Sequence, residues 1–162
     1  MECRLDILLR ESKIIPSAAS VEALKYAAEK LPYPCVMVKV GDINSIAKLV
    51  DYLHKRKKTV MLHIDSIKGI SKDEAGIHYL KRIGVDSIIT MKLQNIRMIK
   101  EEGILSILGT FLVDSSSLAS TIQNIYSNKP DAVVAMPMTI PDVVYQKLLK
   151  SCTVPVMAGG WE

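Results

Sequence analysis

The sequence has few aromatic residues and few cysteines. Aromatic residues make up 5% of its 162 residues, with a single Trp and a single Phe. The cysteines, Cys3, Cys35 and Cys152, lie far apart and form no CxxC motif. This usage argues against a disulfide scaffold and a zinc site, and it is typical of the reducing cytoplasm. We therefore predict a cytoplasmic protein with an aliphatic core and no metal or other cofactor.

Long apolar runs are also missing. No stretch approaches the roughly 18–20 apolar residues that cross a bilayer. The N-terminal segment MECRLDILLRESK mixes charges of both signs, unlike a signal peptide. We expect no membrane partner. The net charge of +4 is compatible with an anionic ligand or with nucleic acid and identifies neither.

Hydrophobic residues make up 49% of the chain, and many fall in short unbroken runs between segments of helical periodicity. Such runs are typical of strands buried on both faces of a parallel sheet. They predict seven strands, at 13–17, 33–40, 59–65, 86–90, 104–114, 131–137 and 154–160. The segments between them predict six helices, at 20–31, 42–58, 71–84, 93–103, 115–128 and 139–152, three of them capped by Ser20, Ser71 and Ser115.

This alternation predicts an α/β fold in which the parallel strands belong to one domain, residues 1–162. An open doubly wound sheet and a closed (β/α) barrel both fit, and the similar length of the units favours a TIM-like barrel. A barrel of eight units needs one more strand and two helices. We expect this C-terminal unit to be missing from the sequence. The exposed edge of the seventh strand would then favour pairing with another copy of the chain.

Polar residues follow most of the predicted strands, where ligands of such folds bind. Gly159 and Gly160 predict a phosphate site, because glycine lets the backbone approach an anion. Lys39 and Lys92 are candidate partners of a phosphate or carboxylate. An ordinary turn at the glycine pair and plain surface lysines are the alternatives.

His63 and Asp65 lie two residues apart on the third predicted strand, so both side chains are expected on one face. A carboxylate beside an imidazole suits proton transfer, whereas the end of a strand needs no chemistry. Because neither a nucleophile nor a metal ligand accompanies them, ligand recognition is favoured over catalysis. The enzymatic alternative is a phosphate-handling aldolase or isomerase that uses His63 and Asp65, or Lys39 as a Schiff-base amine.

The one dense basic run follows His54 and comprises Lys55, Arg56, Lys57 and Lys58. Clustered cations neutralise phosphates, so RNA contact is one hypothesis for this run. Cations at the end of a helix also complement its dipole without any partner.

Four segments together resemble the glycerol-3-phosphate-responsive antiterminator family of glycerol-uptake operons: HIDSIKGISKDEAG (63–76), FLVDSSSLASTI (111–122), KPDAVVAMPMTIP (129–141) and VPVMAGG (154–160). The resemblance implies a TIM-like barrel and a regulator rather than an enzyme. It implies sensing of glycerol 3-phosphate and action on leader messenger RNA to prevent early termination. It also implies that His63 and Asp65 face the ligand and that the phosphate lies near Gly159 and Gly160.

The chain departs from the family's pattern at the predicted rim. Where the family usually has an arginine, a glutamine, a second arginine, an acid and a glycine, this sequence has, in the same order, Ala19, Leu108, Gly109, Val134 and Met138. Since such polar residues would grip a glycerol phosphate, a related phosphorylated ligand is an alternative. A scaffold without a ligand, which serves only as an oligomer or partner surface, is a third hypothesis.

Overall fold

The computed structural model of the chain describes residues 4–160, and the side chains from residue 8 onwards. Its single sheet contains seven strands, and each pairs in parallel with the next along the chain. The strands are β1 (Ser17–Ala18), β2 (Cys35–Val38), β3 (Thr59–His63), β4 (Ser87–Thr90), β5 (Leu105–Phe111), β6 (Ala132–Met136) and β7 (Val156–Ala158). The sheet curls into a half-barrel, which confirms the predicted α/β, TIM-like class.

Helices connect successive strands, as the alternation predicts. They are α2 (Val21–Lys30), α3 (Ile46–Lys55), α4 (Glu74–Arg82), α5 (Leu93–Glu101), α6 (Ser115–Asn128) and α7 (Asp142–Ser151). A further helix, α1 (Arg4–Glu11), precedes the sheet and is absent from the sequence-based prediction. Cys3 lies outside the described residues.

Two strands differ from their predicted bounds in ways that affect the site. The first strand exists, but its predicted bounds of 13–17 are wrong, because it comprises only Ser17 and Ala18. Pro16 accepts a hydrogen bond from the Met37 N–H but has no N–H of its own to donate to the sheet. The third strand ends at His63 rather than at residue 65, and the chain continues into a 3-10 turn, Ile64–Ser66. His63 and Asp65 therefore do not lie on one strand, and the prediction that they share a strand face is wrong.

The interior of the half-barrel is lined by aliphatic and sulfur-containing side chains. Its fully buried members include Met61, Ile107 and Cys35, and burial raises the pKa of the Cys35 thiol to about 12, so this thiol stays protonated. Partly buried methionines pack against this cluster at the other strands: Met37, Met136 and Met157. Two larger aliphatic clusters fill the space between the sheet and the helices.

Side-chain caps begin three of the helices that follow strands. Ser20 caps α2 as predicted, since its side chain accepts a hydrogen bond from the Ala23 N–H. The other two caps are aspartates: Asp73 accepts from the Gly76 N–H, and Asp114 forms a capping box with Ser117. Ser71 and Ser115 are therefore not the caps, because a carboxylate one or two residues away occupies the position.

Candidate functional site at the carboxyl ends of the strands

Lys39 and His63 lie side by side at the carboxyl ends of β2 and β3. The register pairs Met37 with Met61, both in contact with the interior cluster. Since side chains alternate along a strand, Lys39 and His63, two residues further on, also face the interior. Burial lowers the pKa of the Lys39 ammonium, and the structure thus holds a partly desolvated cation beside the imidazole.

Asp65 reaches the same corner from the 3-10 turn and is held at both oxygens. Its Oδ1 lies 3.0 Å from the Lys72 ammonium, and its Oδ2 accepts a hydrogen bond of 3.2 Å from the Met91 N–H. Burial by itself raises the pKa of Asp65, but these two bonds and the nearby positive charges outweigh it and lower the pKa. Asp65 is therefore an ionised anchor for the β4 loop and for Lys72, and it is poorly suited to accept a proton.

The His63 ring is oriented by Ser66, whose Oγ lies 2.9 Å from Nδ1. Residues three apart in a 3-10 turn lie on the same side, which brings these two side chains together. Burial is the main cause that lowers the pKa of His63, and the charge of Lys39 lowers it further. The charge of Asp65 raises this pKa but does not outweigh them. The ring is thus kept neutral more readily than a free histidine.

This lowered pKa predicts a pH-dependent stability. Because His63 binds its proton less well in the folded than in the unfolded chain, its contribution is present above its ordinary pKa of 6.5 and is lost as the pH falls toward the lower folded value. Chemical unfolding at a series of pH values should show stability falling below pH 6.5. His63→Gln, which keeps a polar partner for Ser66, should flatten the curve in that range. An unchanged curve would mean that His63 titrates normally.

The remaining candidates lie elsewhere along the same edge of the sheet. Lys92 occupies the N-cap position of α5 and is exposed, while Gly159 continues β7 by donating its N–H to Ala135 over 2.9 Å. A Cβ on Gly159 would lie only 2.5 Å from Cγ of Met136, so packing against β6 already requires glycine there. Gly160 is exposed, and a Cβ there would meet only the Met138 sulfur, at 3.9 Å.

The structure therefore divides the predicted site residues into two groups. Lys39, His63 and Asp65 lie together at β2 and β3, and the structure adds Ser66 and Lys72, which the sequence analysis did not single out. The glycine pair lies at β7, with β4, β5 and β6 in between. A single ligand that touches both groups must span the mouth of the half-barrel.

The five residues at which the chain departs from the family's rim pattern do not all face the mouth of the half-barrel. Leu108 packs outward into the cluster beneath α5, α6 and α7, and Ala19 is exposed after β1. Gly109 and Val134 belong to the interior face, since the register pairs them. Met138 is exposed beyond the end of β6. The interior positions thus carry no charge at β5 and β6.

The basic run lies at the opposite, amino-terminal edge of the sheet. Lys55 forms an ion pair of 2.7 Å with Asp51, and the Arg56 guanidinium lies 3.5 Å from the centroid of the Tyr52 ring. Lys58 donates to two backbone carbonyls, Leu31 O at 2.7 Å and Tyr33 O at 2.8 Å, and so ties the α2–β2 connection to α3. Lys57, by contrast, is exposed in a left-handed turn.

Comparison with known proteins identifies the family. Residues 14–161 match the model of the glycerol-3-phosphate responsive antiterminator. The chain belongs to this family. It is 28% identical to the Escherichia coli (strain K12) protein YgcP over 159 residues, which cover 94% of this chain and 80% of that protein.

Solved structures agree with this assignment. The glycerol uptake operon antiterminator regulatory protein of Listeria monocytogenes superposes with a TM-score of 0.83 at 28% identity, covering 91% of this chain and 80% of that one. A glycerol uptake operon antiterminator-related protein of Thermotoga maritima gives 0.79 at 26% identity, with 91% and 81% coverage.

A putative deoxyribose-phosphate aldolase of Coccidioides immitis gives a TM-score of 0.62 at 14% identity, with 91% of this chain and 72% of that chain covered. This likeness shows the shared TIM-like fold alone. In the part of the chain that the structure describes, no three His, Cys, Asp or Glu side chains converge as metal ligands, and no helix is long and apolar enough to cross a membrane.

Proposed function

We propose that the chain is a cytoplasmic regulator, not an enzyme, that senses glycerol 3-phosphate or a similar small phosphorylated ligand. We further propose that it binds leader messenger RNA to control transcription termination, as one domain over residues 1–162. The observation that carries the ligand proposal is the placement of Lys39 beside His63 at the carboxyl ends of β2 and β3.

The charges of this corner suit an anion. Asp65 would repel a phosphate, but Lys72 lies 3.0 Å from it and balances its charge. Lys39 adds a further positive charge to this corner, and partial burial strengthens its attraction for an anion. A bound phosphate would also favour the protonated form of His63. Lys92, Gly159 and Gly160 are proposed as further contacts along the same edge.

A calorimetric titration tests the ligand proposal. Glycerol 3-phosphate should release or absorb measurable heat on binding and raise the thermal unfolding midpoint, because a ligand that binds only the folded chain stabilises it. The absence of both effects at millimolar concentration would reject the ligand.

RNA contact is proposed for the amino-terminal edge of the sheet, through Lys55, Arg56, Lys57 and Lys58. Most helices end at this edge, and their last turns carry further basic residues: Lys30, Lys81, Arg82, Lys100 and Lys150. Next to the run, a hollow of about 320 Å³ is lined by His54, Lys57, Lys58, Thr59 and Asp86. This cationic surface lies at the opposite end of the strands from Lys39 and His63, so ligand and RNA would not compete for the same residues.

The salt dependence of RNA binding should report these contacts. For Lys55→Gln with Lys57→Gln, we expect the slope of log affinity against log salt to become shallower by about 0.7 per lost contact with a single strand. Lys58 is left in place because its ammonium holds two backbone carbonyls. Filter binding of a leader transcript between low and high salt measures the slope. The exposed Lys48→Gln is the control. If its slope of log affinity against log salt equals that of the double variant, the RNA does not contact Lys55 and Lys57.

The enzymatic alternative uses His63 and Asp65, or Lys39, whose lowered pKa is also what a Schiff-base amine needs. Family membership supports the regulator instead. Borohydride treatment in the presence of a keto-phosphate separates the two, since a stable adduct on Lys39 is expected only of the enzyme.

A further inference from the structure

The carboxyl-terminal mouth of the half-barrel is chemically divided. One side, the ionic side, consists of Lys39, His63, Asp65 and Lys72. The other side, here called the methionine wall, consists of Met91, Met136 and Met138. Met91 and Met136 lie against Gly109 and Gly159, and Met138 is exposed beyond the end of β6. The two sides adjoin, because the Met91 N–H donates to Asp65.

The methionine wall exists because two strand positions lack a Cβ. A Cβ on Gly109 would fall within the Met91 side chain and lie 3.5 Å from Cε of Met136. A Cβ on Gly159 would lie 2.5 Å from Cγ and 3.3 Å from Sδ of the same Met136. The thioether side chains therefore occupy space that any other residue at these glycines would fill. Met136 lies beside both glycines and so extends the wall across β5, β6 and β7.

Apolar surface of this wall and of the neighbouring Phe111 reaches solvent at the mouth. Phe111 pairs in register with Met136 at the end of β5 and is 54% exposed, and Met138 is 59% exposed. An apolar surface beside fixed charges, at the end of the strands where ligands bind in this fold class, is suited to a ligand with two different ends.

The hydroxyl groups of the neighbouring strands are engaged on the other face of the sheet. Thr90 accepts hydrogen bonds from the Asn95 side chain and the Lys92 N–H, at the start of α5. Thr110 is paired with Thr121 of α6 at 2.9 Å. These threonines thus point toward the helices, and near the mouth the inner surface of β4 to β6 carries methionine, glycine, phenylalanine and aliphatic groups. The inward-facing hydroxyl of Ser87 lies at the other, amino-terminal end of β4.

We infer that the ligand of this chain is a phosphate monoester with an apolar body, whose phosphate lies on the ionic side and whose carbon chain lies on the methionine wall. The inference rests on the proposed function, because it assumes an anion at Lys39 and His63. A hydroxyl placed against thioether and methyl groups loses its hydrogen bonds to water, whereas a methylene gains contact with polarisable sulfur. A polyol phosphate is therefore the poorer ligand.

A matched pair of ligands tests the inference. n-Propyl phosphate and glycerol 3-phosphate share a three-carbon chain and differ by two hydroxyl groups. The chain is titrated with both by calorimetry, and with inorganic phosphate as the head group alone. We expect n-propyl phosphate to bind about 10- to 100-fold more tightly than glycerol 3-phosphate, the range in which an apolar pocket discriminates. Met136→Gln, nearly equal in size, should reduce this ratio several-fold. Met98→Gln, on α5 outside the mouth, should leave it unchanged.

The outcomes separate the two claims. If glycerol 3-phosphate binds as tightly as n-propyl phosphate or more tightly, the inference that the ligand has an apolar body is wrong, while the proposed anion site at Lys39 and His63 is kept. If none of the three phosphates binds, the proposed ligand site itself is wrong and the inference falls with it. A ratio that favours n-propyl phosphate but is equal in wild type and Met136→Gln would move the contact away from the methionine wall.

Discussion

Replacing Lys39 by methionine is expected to weaken binding of a phosphate monoester by about 10- to 100-fold, since a hydrogen bond to a charged group contributes about 1.5–3 kcal/mol. Methionine keeps the unbranched shape of the side chain and removes the charge. The charge matters more here than on the surface, because Lys39 is partly desolvated beside His63. Titration calorimetry at fixed ionic strength measures the loss.

Lys48→Met is the matched control for this variant. Lys48 is exposed on α3 and also carries one positive charge, so the two variants have the same net charge. Equal affinities for both variants would show that Lys39 acts only through the overall field of the protein. A loss confined to Lys39→Met would support direct contact with the anion.

Replacing Gly76 by alanine is expected to destabilise the chain by about 3 kcal/mol, at the upper end of typical overpacking effects. Gly76 is buried in the first turn of α4, and its added Cβ would fall on the backbone carbonyl of Ser71. Alanine gains at most about 1 kcal/mol of helix propensity over glycine, so the clash dominates. The Asp73 cap on the Gly76 N–H, at 2.9 Å, restrains the helix start from moving away.

Gly160→Ala provides the comparison, because its Cβ would meet only the Met138 sulfur, at 3.9 Å. We expect a change of less than about 0.5 kcal/mol there. Urea unfolding of the two variants and wild type measures both effects. A Gly76→Ala variant as stable as wild type would mean that the loop containing Ser71 shifts freely. The position of the segment DEAG (73–76) would then not be fixed by packing.

The order of strands and helices could be predicted from the sequence because it depends on local hydrophobic period. Apolar runs such as TVML (59–62) are buried on both faces of a parallel sheet and stand out from the helical segments around them. The first strand is the exception, since only two residues pair there and Pro16 interrupts the pattern. Helix α1 is as amphipathic as α2 and α7, so the same pattern could have predicted it.

The site was less accessible to sequence reasoning because its contacts are not local. Nothing in the spacing of Asp65 indicates that its carboxylate bonds the Met91 N–H from the end of another strand. The end of β3 at His63 also leaves no mark in the local pattern, since Ile64 is fully buried in the cluster between the sheet and the helices, as a further strand residue would be. Strand geometry therefore predicted one face for His63 and Asp65, and the turn separates their roles.

The glycine pair shows a second limit. A glycine that approaches a phosphate and a glycine that makes room for a neighbouring side chain are identical in sequence. The structure gives Gly159 a packing reason, through Met136, while Gly160 has none of this kind. A phosphate contact at Gly159 is therefore a proposal that must be compatible with the position of Met136.

Nuclear magnetic resonance titration of the His63 ring tests the central claim most directly, namely that an anion binds beside Lys39 and His63. In the free chain the pKa of His63 should lie below its ordinary value of 6.5, because of burial and the charge of Lys39. A saturating phosphate monoester should raise that pKa, since a nearby negative charge favours the imidazolium. A His63 pKa that does not move when the ligand is shown to bind would contradict the account and place the anion elsewhere.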